Sequence, residues 1–345
     1  MKHTWKLTFI LIAAFLISQL IGLAVISSYD HYFGTTHQKI VNESIEKNIT
    51  LPEQANVSVM QFAPEPIETK NPIDMIKILI NVLVGVVLGV ILFFVLSKFG
   101  IVPVLKGWFA IVIFLCLSIA FTLILYPFLG YNLVDIFRWR ISLAEVIAVP
   151  IAFVVTFFKL FKRNMVVHNL SELFVYPGFS IVLLPILNVV TAAGFMLAIS
   201  VYDIVAVWRS NYMVNLANFQ VKHLKIFAGF FVPYIRKEDR VKIKLAKAMM
   251  KSNKKLAKSK LQKISVKVAA LGGGDVAIPM LFLGAVFLAW GLWAYFVVLF
   301  FTVFALLYLL VESEKDKAYP AMPFLSVGAL IGLFIVLFVK LIFGI

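Results

Sequence analysis

The chain has 345 residues, of which 62% are hydrophobic and only 14% are charged. A typical soluble domain has about a quarter of its residues charged, so a soluble globular protein is excluded. The apolar residues form long runs that occupy more than half of the chain, which leaves no room for a large soluble catalytic domain. Any chemistry must therefore lie on membrane helices or in the short segments between them.

Nine apolar runs are long enough to cross a bilayer, which takes about 20 residues in a helix. They predict an all-α polytopic membrane protein with nine transmembrane helices. The first run is longer than the core of a signal peptide and no small-residue cleavage site closes it, so we interpret it as a retained anchor. The predicted spans are 7–27, 73–96, 107–129, 141–160, 170–187, 189–208, 271–290, 293–311 and 320–342.

The distribution of Lys and Arg predicts the orientation of these spans, because cytoplasmic segments carry the excess of basic residues. With the N-terminus in the cytoplasm, cytoplasmic segments contain 25 of the 32 basic residues. The sequence therefore predicts an integral multi-pass protein with a cytoplasmic N-terminus and an extracytoplasmic C-terminus. In this orientation the polar segment 28–72 is an outer loop.

A basic cytoplasmic loop at 209–270, between predicted helices 6 and 7, holds nearly all of the net charge of +15. A loop tethered between membrane spans meets anionic lipid first, and each lysine near that surface gains about 1 kcal/mol. We therefore expect contact with an anionic lipid surface and no nucleic-acid partner, with a plain solvated loop as the alternative. Four apolar residues on one face predict a helix lying on the leaflet: Val241, Leu245, Met249 and Leu256.

The few cysteine and histidine residues favour neither redox nor metal chemistry. The lone Cys116 cannot form an intrachain disulfide, and the five histidines lie outside the predicted spans without the spacing of zinc proteases. We predict no metal site and no cofactor. A serine-type intramembrane protease is also disfavoured, because its histidine base would have to lie within a span.

Apart from Asp74 at the edge of the second span, four acidic residues fall within the predicted spans, where ionisable groups are costly and usually functional. Glu145 and Glu172 lie near span ends, where a carboxylate can reach the headgroups, so we assign them interfacial or packing roles. Asp203 and Asp275 lie deeper, each 15 residues from the predicted outer boundary of its helix. This spacing places both carboxylates about 23 Å below that boundary, and we expect them to face each other.

Two carboxylic acids that face each other in a low dielectric cannot easily both ionise, so we expect Asp203 and Asp275 to share one proton. The pair then supplies a general base and a general acid within reach of one water, as direct hydrolysis of an amide requires. A proton or cation relay in a transporter would use the same pair. The carboxylates alone leave these two functions open.

The residues around the two aspartates favour hydrolysis. The run 272–274 consists of three glycines, and each glycine at a helix start costs about 1 kcal/mol relative to alanine, so the run needs a reason. We expect Gly274 to leave room beside Asp275 for a substrate backbone or for the helix that carries Asp203. Pro320, followed by a second proline three residues later, predicts the start of the last span.

Three motifs together resemble those of the presenilin and signal peptide peptidase family of intramembrane aspartyl proteases. They are Tyr202-Asp203, Gly272-x-Gly274-Asp275 and Pro320-Ala321-Met322, in the family's order. The resemblance implies that Asp203 and Asp275 are catalytic and that the other six residues position the substrate. Met322 stands where the family usually has leucine, which affects the substrate fit more than the activity, since both side chains are apolar and similar in volume.

The resemblance covers residues 170–345 best, so we expect a catalytic transmembrane half there, behind an N-terminal scaffold at 1–169. The predicted orientation is similar to that of presenilins, which implies that the partners are transmembrane segments of membrane proteins with an outside N-terminus. Family members bind an unwound substrate segment as an added strand beside the GxGD aspartate. The alternation of polar and apolar residues at 264–268 predicts such a strand, and a frayed end of the basic helix is the alternative.

Overall fold

The computed structural model describes residues 5–47, 71–99, 101–129, 133–136, 139–162, 164–209, 229–234, 267–312 and 319–343. Eight helices contain most of these residues: α1 Trp5–Lys47, α2 Pro72–Lys98, α3 Val102–Leu129, α4 Leu143–Phe161, α5 Met165–Leu183, α6 Val189–Ile204, α7 Gly273–Glu312 and α8 Met322–Phe343. Four short strands form two hairpins: β1 Leu133–Ile136 with β2 Trp139–Ser142, and β3 Gly229–Tyr234 with β4 Lys267–Gly272.

All eight helices contain a segment long and apolar enough to cross a membrane. The prediction of an integral multi-pass membrane protein is therefore confirmed. Helix α1 differs from the prediction, because it continues to Lys47 where an outer loop was predicted from residue 28. Residues 28–47 are polar but contain no proline, and polarity alone does not end a helix.

Helix α7 covers two of the predicted spans, 271–290 and 293–311, and is interrupted at Gly291. Gln19 of α1 donates a hydrogen bond to the Val276 carbonyl at 3.0 Å and accepts one from the Tyr295 hydroxyl at 2.8 Å. A straight helix would place residues 276 and 295 about 28 Å apart, too far for one glutamine to reach both. The chain therefore doubles back at Gly291, and the count of nine spans stays a prediction.

The reversal at Gly291 uses a backbone conformation with φ 78°, which side chains other than hydrogen disfavour. An added Cβ would meet no atom within 4 Å, so Gly291→Ala introduces backbone strain without a clash. We expect a loss of about 1–2 kcal/mol of stability, measured as a lower Tm in detergent. Gly85→Ala in α2 also has open space around the Cβ and serves as the control that should not lower the Tm. Equal Tm values for the two variants would show that Gly291→Ala introduces no backbone strain.

The first half of α7 lies at the centre of the main hydrophobic core, which also contains side chains from α1, α3, α5, α6 and α8. Helix α2 lies at the periphery, and none of the residues in its most apolar stretch is buried. Helix α8 packs closely on α7 through two glycines four residues apart. A methyl group at Gly328 would lie 2.6 Å from the Phe301 carbonyl oxygen, and one at Gly332 would lie 2.7 Å from the Val298 Cα.

Strands β3 and β4 form an antiparallel hairpin that leads directly into α7. Gly229 lies opposite Gly272, and Tyr234 lies opposite Lys267. The strand predicted at 264–268 agrees with β4 at residues 267 and 268, where the alternative of a frayed helix is excluded. Residues 264–266 lie outside the described residues, and so does the surface helix predicted at 241–256. Strand β3 was not predicted, although an apolar run within a basic loop is a signal for it.

Candidate functional site

Asp203 lies in the last turn of α6, directly before a π-helical turn at Val205–Arg209. Its side chain is buried, with 5% exposed. The backbone N–H of Met322, the first residue of α8, donates to Asp203 Oδ2 at 3.1 Å. The hydroxyl groups of Ser200 on α6 and Ser326 on α8, each about one helical turn away from Asp203 and Met322, lie 2.5 Å apart. The N-terminus of α8 therefore holds the Asp203 carboxylate, since the first N–H groups of a helix have no partner within the helix.

Asp275 is the third residue of α7, and its carboxylate folds back over the end of β4. The Gly272 backbone hydrogen-bonds to this carboxylate. An added Cβ on Gly272 would lie only 2.9 Å from Asp275 Oδ2. The arrangement is the helix-start geometry in which a carboxylate three residues into the helix accepts the N–H of the capping residue. Gly272 lacks a side chain where the Asp275 carboxylate needs the space.

The two carboxylates are near enough for the charge of Asp203 to act on Asp275. Helices α6 and α7 both contribute buried residues to the main core, and each aspartate has its own backbone N–H donor. The two acids thus lie on two helices that contact each other, and their equal depth and their action as a pair stay predictions. The arrangement can hold a water between a proton acceptor and a proton donor.

The six residues predicted to position the substrate divide into exposed and buried groups. Gly274 is exposed, and an added Cβ would meet only Ile278 Cδ1, at 3.9 Å. The helix that carries Asp203 is therefore not packed against Gly274, which leaves a substrate as the predicted occupant. Tyr202 is 47% exposed. Pro320 and Met322 are buried and Ala321 is half-buried, at the entrance to α8 beside Asp203.

Gln19 is a site residue that the sequence did not reveal. It is fully buried and holds the carbonyl of Val276, the residue next to Asp275. Pro279 supplies no N–H to the Asp275 carbonyl, so the first turn of α7 has fewer internal hydrogen bonds than an ordinary helix. The bond from the Gln19 side chain fastens this weakened turn to α1, and the Tyr295 hydroxyl in turn holds the Gln19 backbone carbonyl.

A second group of polar residues, which we call the α5 cluster, lies at the start of α5 and the end of α4 and consists of Lys159, His168, Asn169 and Glu172, of which His168 and Asn169 are only partly buried. Lys159 Nζ and Glu172 Oε1 are 2.8 Å apart, with 3% and 2% of their side chains exposed. Of the interfacial and packing roles expected for Glu172 and Glu145, the structure favours packing, since Glu145 is also buried, with 3% exposed. His168 was placed outside the spans, but α5 begins at Met165.

The α5 cluster binds strand β3 through backbone groups. His168 Nε2 lies 2.9 Å from the Gly229 carbonyl. Asn169 Nδ2 donates to the Phe231 carbonyl at 2.7 Å, and Asn169 Oδ1 accepts the Phe231 N–H at 3.0 Å. The Tyr176 ring packs edge-on against Phe230, with centroids 5.5 Å apart. The hairpin that precedes Asp275 is thus attached to α5.

Comparison with known proteins identifies a family and similar solved structures. The sequence matches the family described as "Signal-peptide peptidase, presenilin aspartyl protease" over residues 59–342. The fold is similar to a structure described as "a presenilin family intramembrane aspartate protease", with a TM-score of 0.54 and 13% identity, covering 95% of this chain and 97% of that chain. At this identity the structure supports the fold alone. No curated protein matches the sequence.

Proposed function

This chain belongs to the signal-peptide peptidase and presenilin aspartyl protease family, and from that premise we propose that it hydrolyses peptide bonds within the transmembrane segments of membrane proteins. The observation that carries the proposal is that Asp203 and Asp275, on two helices that contact each other, are near enough for their charges to interact, each with a backbone N–H donor. No metal or cofactor is needed for this chemistry, because two carboxyl groups can activate a water directly.

Hydrolysis requires one ionised and one protonated carboxyl group. The ionised aspartate takes a proton from the water, whose oxygen attacks the carbonyl carbon of the scissile bond, while the other aspartate donates its proton to the carbonyl oxygen. The tetrahedral intermediate then collapses as the leaving nitrogen is protonated and the C–N bond breaks. Asp203 and Asp275 both accept backbone N–H groups, which hold each carboxylate in place whichever of the two carries the proton.

The substrate binds as an added strand along β4, with its scissile bond next to Asp275. Strand β4 ends at Gly272, whose N–H already contacts the Asp275 carboxylate. An unwound segment paired with β4 would therefore be guided towards the catalytic pair by backbone hydrogen bonds, which do not depend on side chains. The open space at Gly274 leaves room for that backbone.

The orientation follows from the charge distribution and stays part of the proposal. A cytoplasmic N-terminus and an extracytoplasmic C-terminus place the α5 cluster and the β3–β4 hairpin at the cytoplasmic side. Substrates would then have their N-terminus outside. The division into a scaffold at 1–169 and a catalytic half at 170–345 is part of the same proposal, and Gln19 of α1 joins the two parts.

A proton-coupled transporter is the alternative function for the same two aspartates. Family membership does not favour it, and the β4 edge beside Asp275 has no obvious role in moving a proton. The experiment that separates the two functions adds a transition-state analogue of aspartyl proteolysis to the purified protein in liposomes with a transmembrane peptide. We expect the analogue to stop peptide release. Peptide release that is unaffected, or absent altogether, would contradict the proposal.

The anionic lipid surface is the partner that we propose for the basic loop at 209–270. Replacing Lys242, Lys244, Lys247, Lys251, Lys254 and Lys255 with glutamine removes six charges, each worth about 1 kcal/mol near that surface. We expect weaker binding of a loop peptide to anionic vesicles and a smaller dependence on salt. A wild-type peptide that binds neutral and anionic vesicles equally would contradict this prediction.

A further inference from the structure

We infer that Asn169 is a positioning residue that closes the outer edge of β3, so that a substrate strand can join the hairpin only at β4 and only in one register. The inference rests on the proposed proteolytic function and adds to it the device that sets the substrate's position. It concerns a side chain that touches neither aspartate and acts through the hairpin.

The amide of Asn169 occupies the place of a neighbouring strand. Its nitrogen donates to the Phe231 carbonyl and its oxygen accepts the Phe231 N–H, at 2.7 and 3.0 Å. These are the two bonds that one residue of an added strand would make. His168 contacts the Gly229 carbonyl two residues earlier, on the same edge, and the ring centroids of His168 and Phe231 are 5.3 Å apart.

The direction of the Phe231 groups fixes the hydrogen-bond pattern of the whole hairpin. Both groups point to Asn169 and away from β4, so Phe231 and Ala270 form a non-hydrogen-bonded pair. Backbone direction alternates along a strand, so Gly229 and Pro233 also point outwards. Pro233 has no N–H to offer to β4, and its position on this edge agrees with the pattern.

The same pattern predicts which groups of β4 receive a substrate. Val268, Ala270 and Gly272 lie opposite Pro233, Phe231 and Gly229, so their N–H and C=O groups point to the free edge of β4. The Gly272 backbone already bonds to Asp275. Within the described part of the chain, Val268 and Ala270 therefore remain as the pairing positions for an extended peptide, seven and five residues before Asp275.

The attachment of β3 to α5 is reinforced by a buried ion pair in the α5 cluster and by ring packing. The ion pair between Lys159 and Glu172 joins α4 to α5 with almost no exposure to solvent. Tyr176 and Phe230 pack together deeper in the core. Two strands fixed only by their pairing and by the start of α7 could shift along their own axis, and the contacts of Asn169 and His168 prevent that shift.

The test compares Asn169→Asp with Asn164→Asp in the full-length protein. Both substitutions are equal in size and charge, and both lie at the start of α5. At 169 the change replaces an N–H donor with an oxygen that faces the Phe231 carbonyl. At 164 the change preserves the helix cap, in which the side-chain oxygen accepts the Val166 N–H at 2.9 Å in the wild-type protein. Aspartate caps a helix as well as asparagine does. Asn169→Ala removes the bonds without adding charge, in case the aspartate prevents folding.

For Asn169→Asp we expect KM for a transmembrane peptide to rise about tenfold or more. At least one hydrogen bond is lost, and the new aspartate oxygen and the Phe231 carbonyl oxygen, both acceptors, repel each other. Products mapped by mass spectrometry should spread over several neighbouring bonds, while kcat changes less. Amide exchange in 229–234 should become faster. Asn164→Asp should retain the wild-type KM, products and exchange.

Unchanged KM, product positions and exchange in a folded Asn169→Asp would overturn the inference. Equal defects in both variants would also overturn it, since they would indicate a general weakening of the α5 start. The failure of the proposed function has a different signature, namely that the wild-type protein releases no peptide. In that case the exchange rates of 229–234 alone still decide whether Asn169 holds β3.

Discussion

Replacing either catalytic candidate, in Asp203→Asn or Asp275→Asn, is expected to abolish peptide hydrolysis while the protein stays folded. Asparagine keeps the size of aspartate, and its amide oxygen can still accept the N–H of Met322 or Gly272. It cannot take or give a proton. Loss of one partner in acid–base catalysis costs about 10²–10⁴ in rate, and because each half of the pair needs the other, we expect both variants to fall to the detection limit.

The measurement is the rate of peptide release from liposomes, together with the Tm of each variant. Asp74→Asn is the matched control. Asp74 is an exposed acid at the start of α2 that pairs only with nearby groups such as Lys77, at 3.3 Å, and surface pairs of this kind contribute little to stability. Its variant should keep full activity. Substantial release by either site variant would end the assignment of an aspartyl protease.

The second large effect is expected at Gly272, where alanine should depress cleavage strongly. The new Cβ would lie 2.9 Å from Asp275 Oδ2, closer than non-bonded atoms approach, so the carboxylate must turn away from its position. A displacement of about 1 Å at a reacting group can cost about 100-fold in rate. Because the displaced group belongs to the enzyme, binding of a small transition-state analogue should weaken as much as cleavage of a long peptide.

Gly274→Ala is the counterpart with a different expected pattern. Its Cβ would meet no atom closer than Ile278 Cδ1 at 3.9 Å, and alanine favours a helix by up to about 1 kcal/mol. We expect an unchanged or higher Tm and normal binding of the small analogue, but poor cleavage of a peptide that must lie against this face. Full cleavage of long peptides by Gly274→Ala would show that the substrate does not pass there.

The aspartates could be predicted from the sequence because charges in an apolar run have few explanations. Their equal depth followed from the helix rise alone, which is a local and regular quantity. The family match over 59–342 supports the assignment based on three short motifs. The predicted end of the first helix was wrong because the sequence offers little to locate it. Residues 28–47 contain no proline.

The residues that support the site could not be predicted in the same way. Asn169 and Gln19 are single polar residues whose bonding partners lie 62 and 257 positions away in the chain. No periodicity connects such pairs, and an isolated asparagine or glutamine looks the same whether it holds a strand or faces solvent. Strand β3 was not predicted because its apolar residues lie within a basic loop, and the loop was interpreted from its charge.

The bond between Met322 and Asp203 joins residues 119 positions apart, and this separation has a consequence for biosynthesis. A chain leaves the ribosome from its N-terminus, so Asp203 enters the membrane long before α8 exists. Until α8 is inserted, this carboxylate lacks the Met322 N–H that holds it in the folded protein. The surroundings of Asp203 are therefore completed only when the last described helix has entered the membrane.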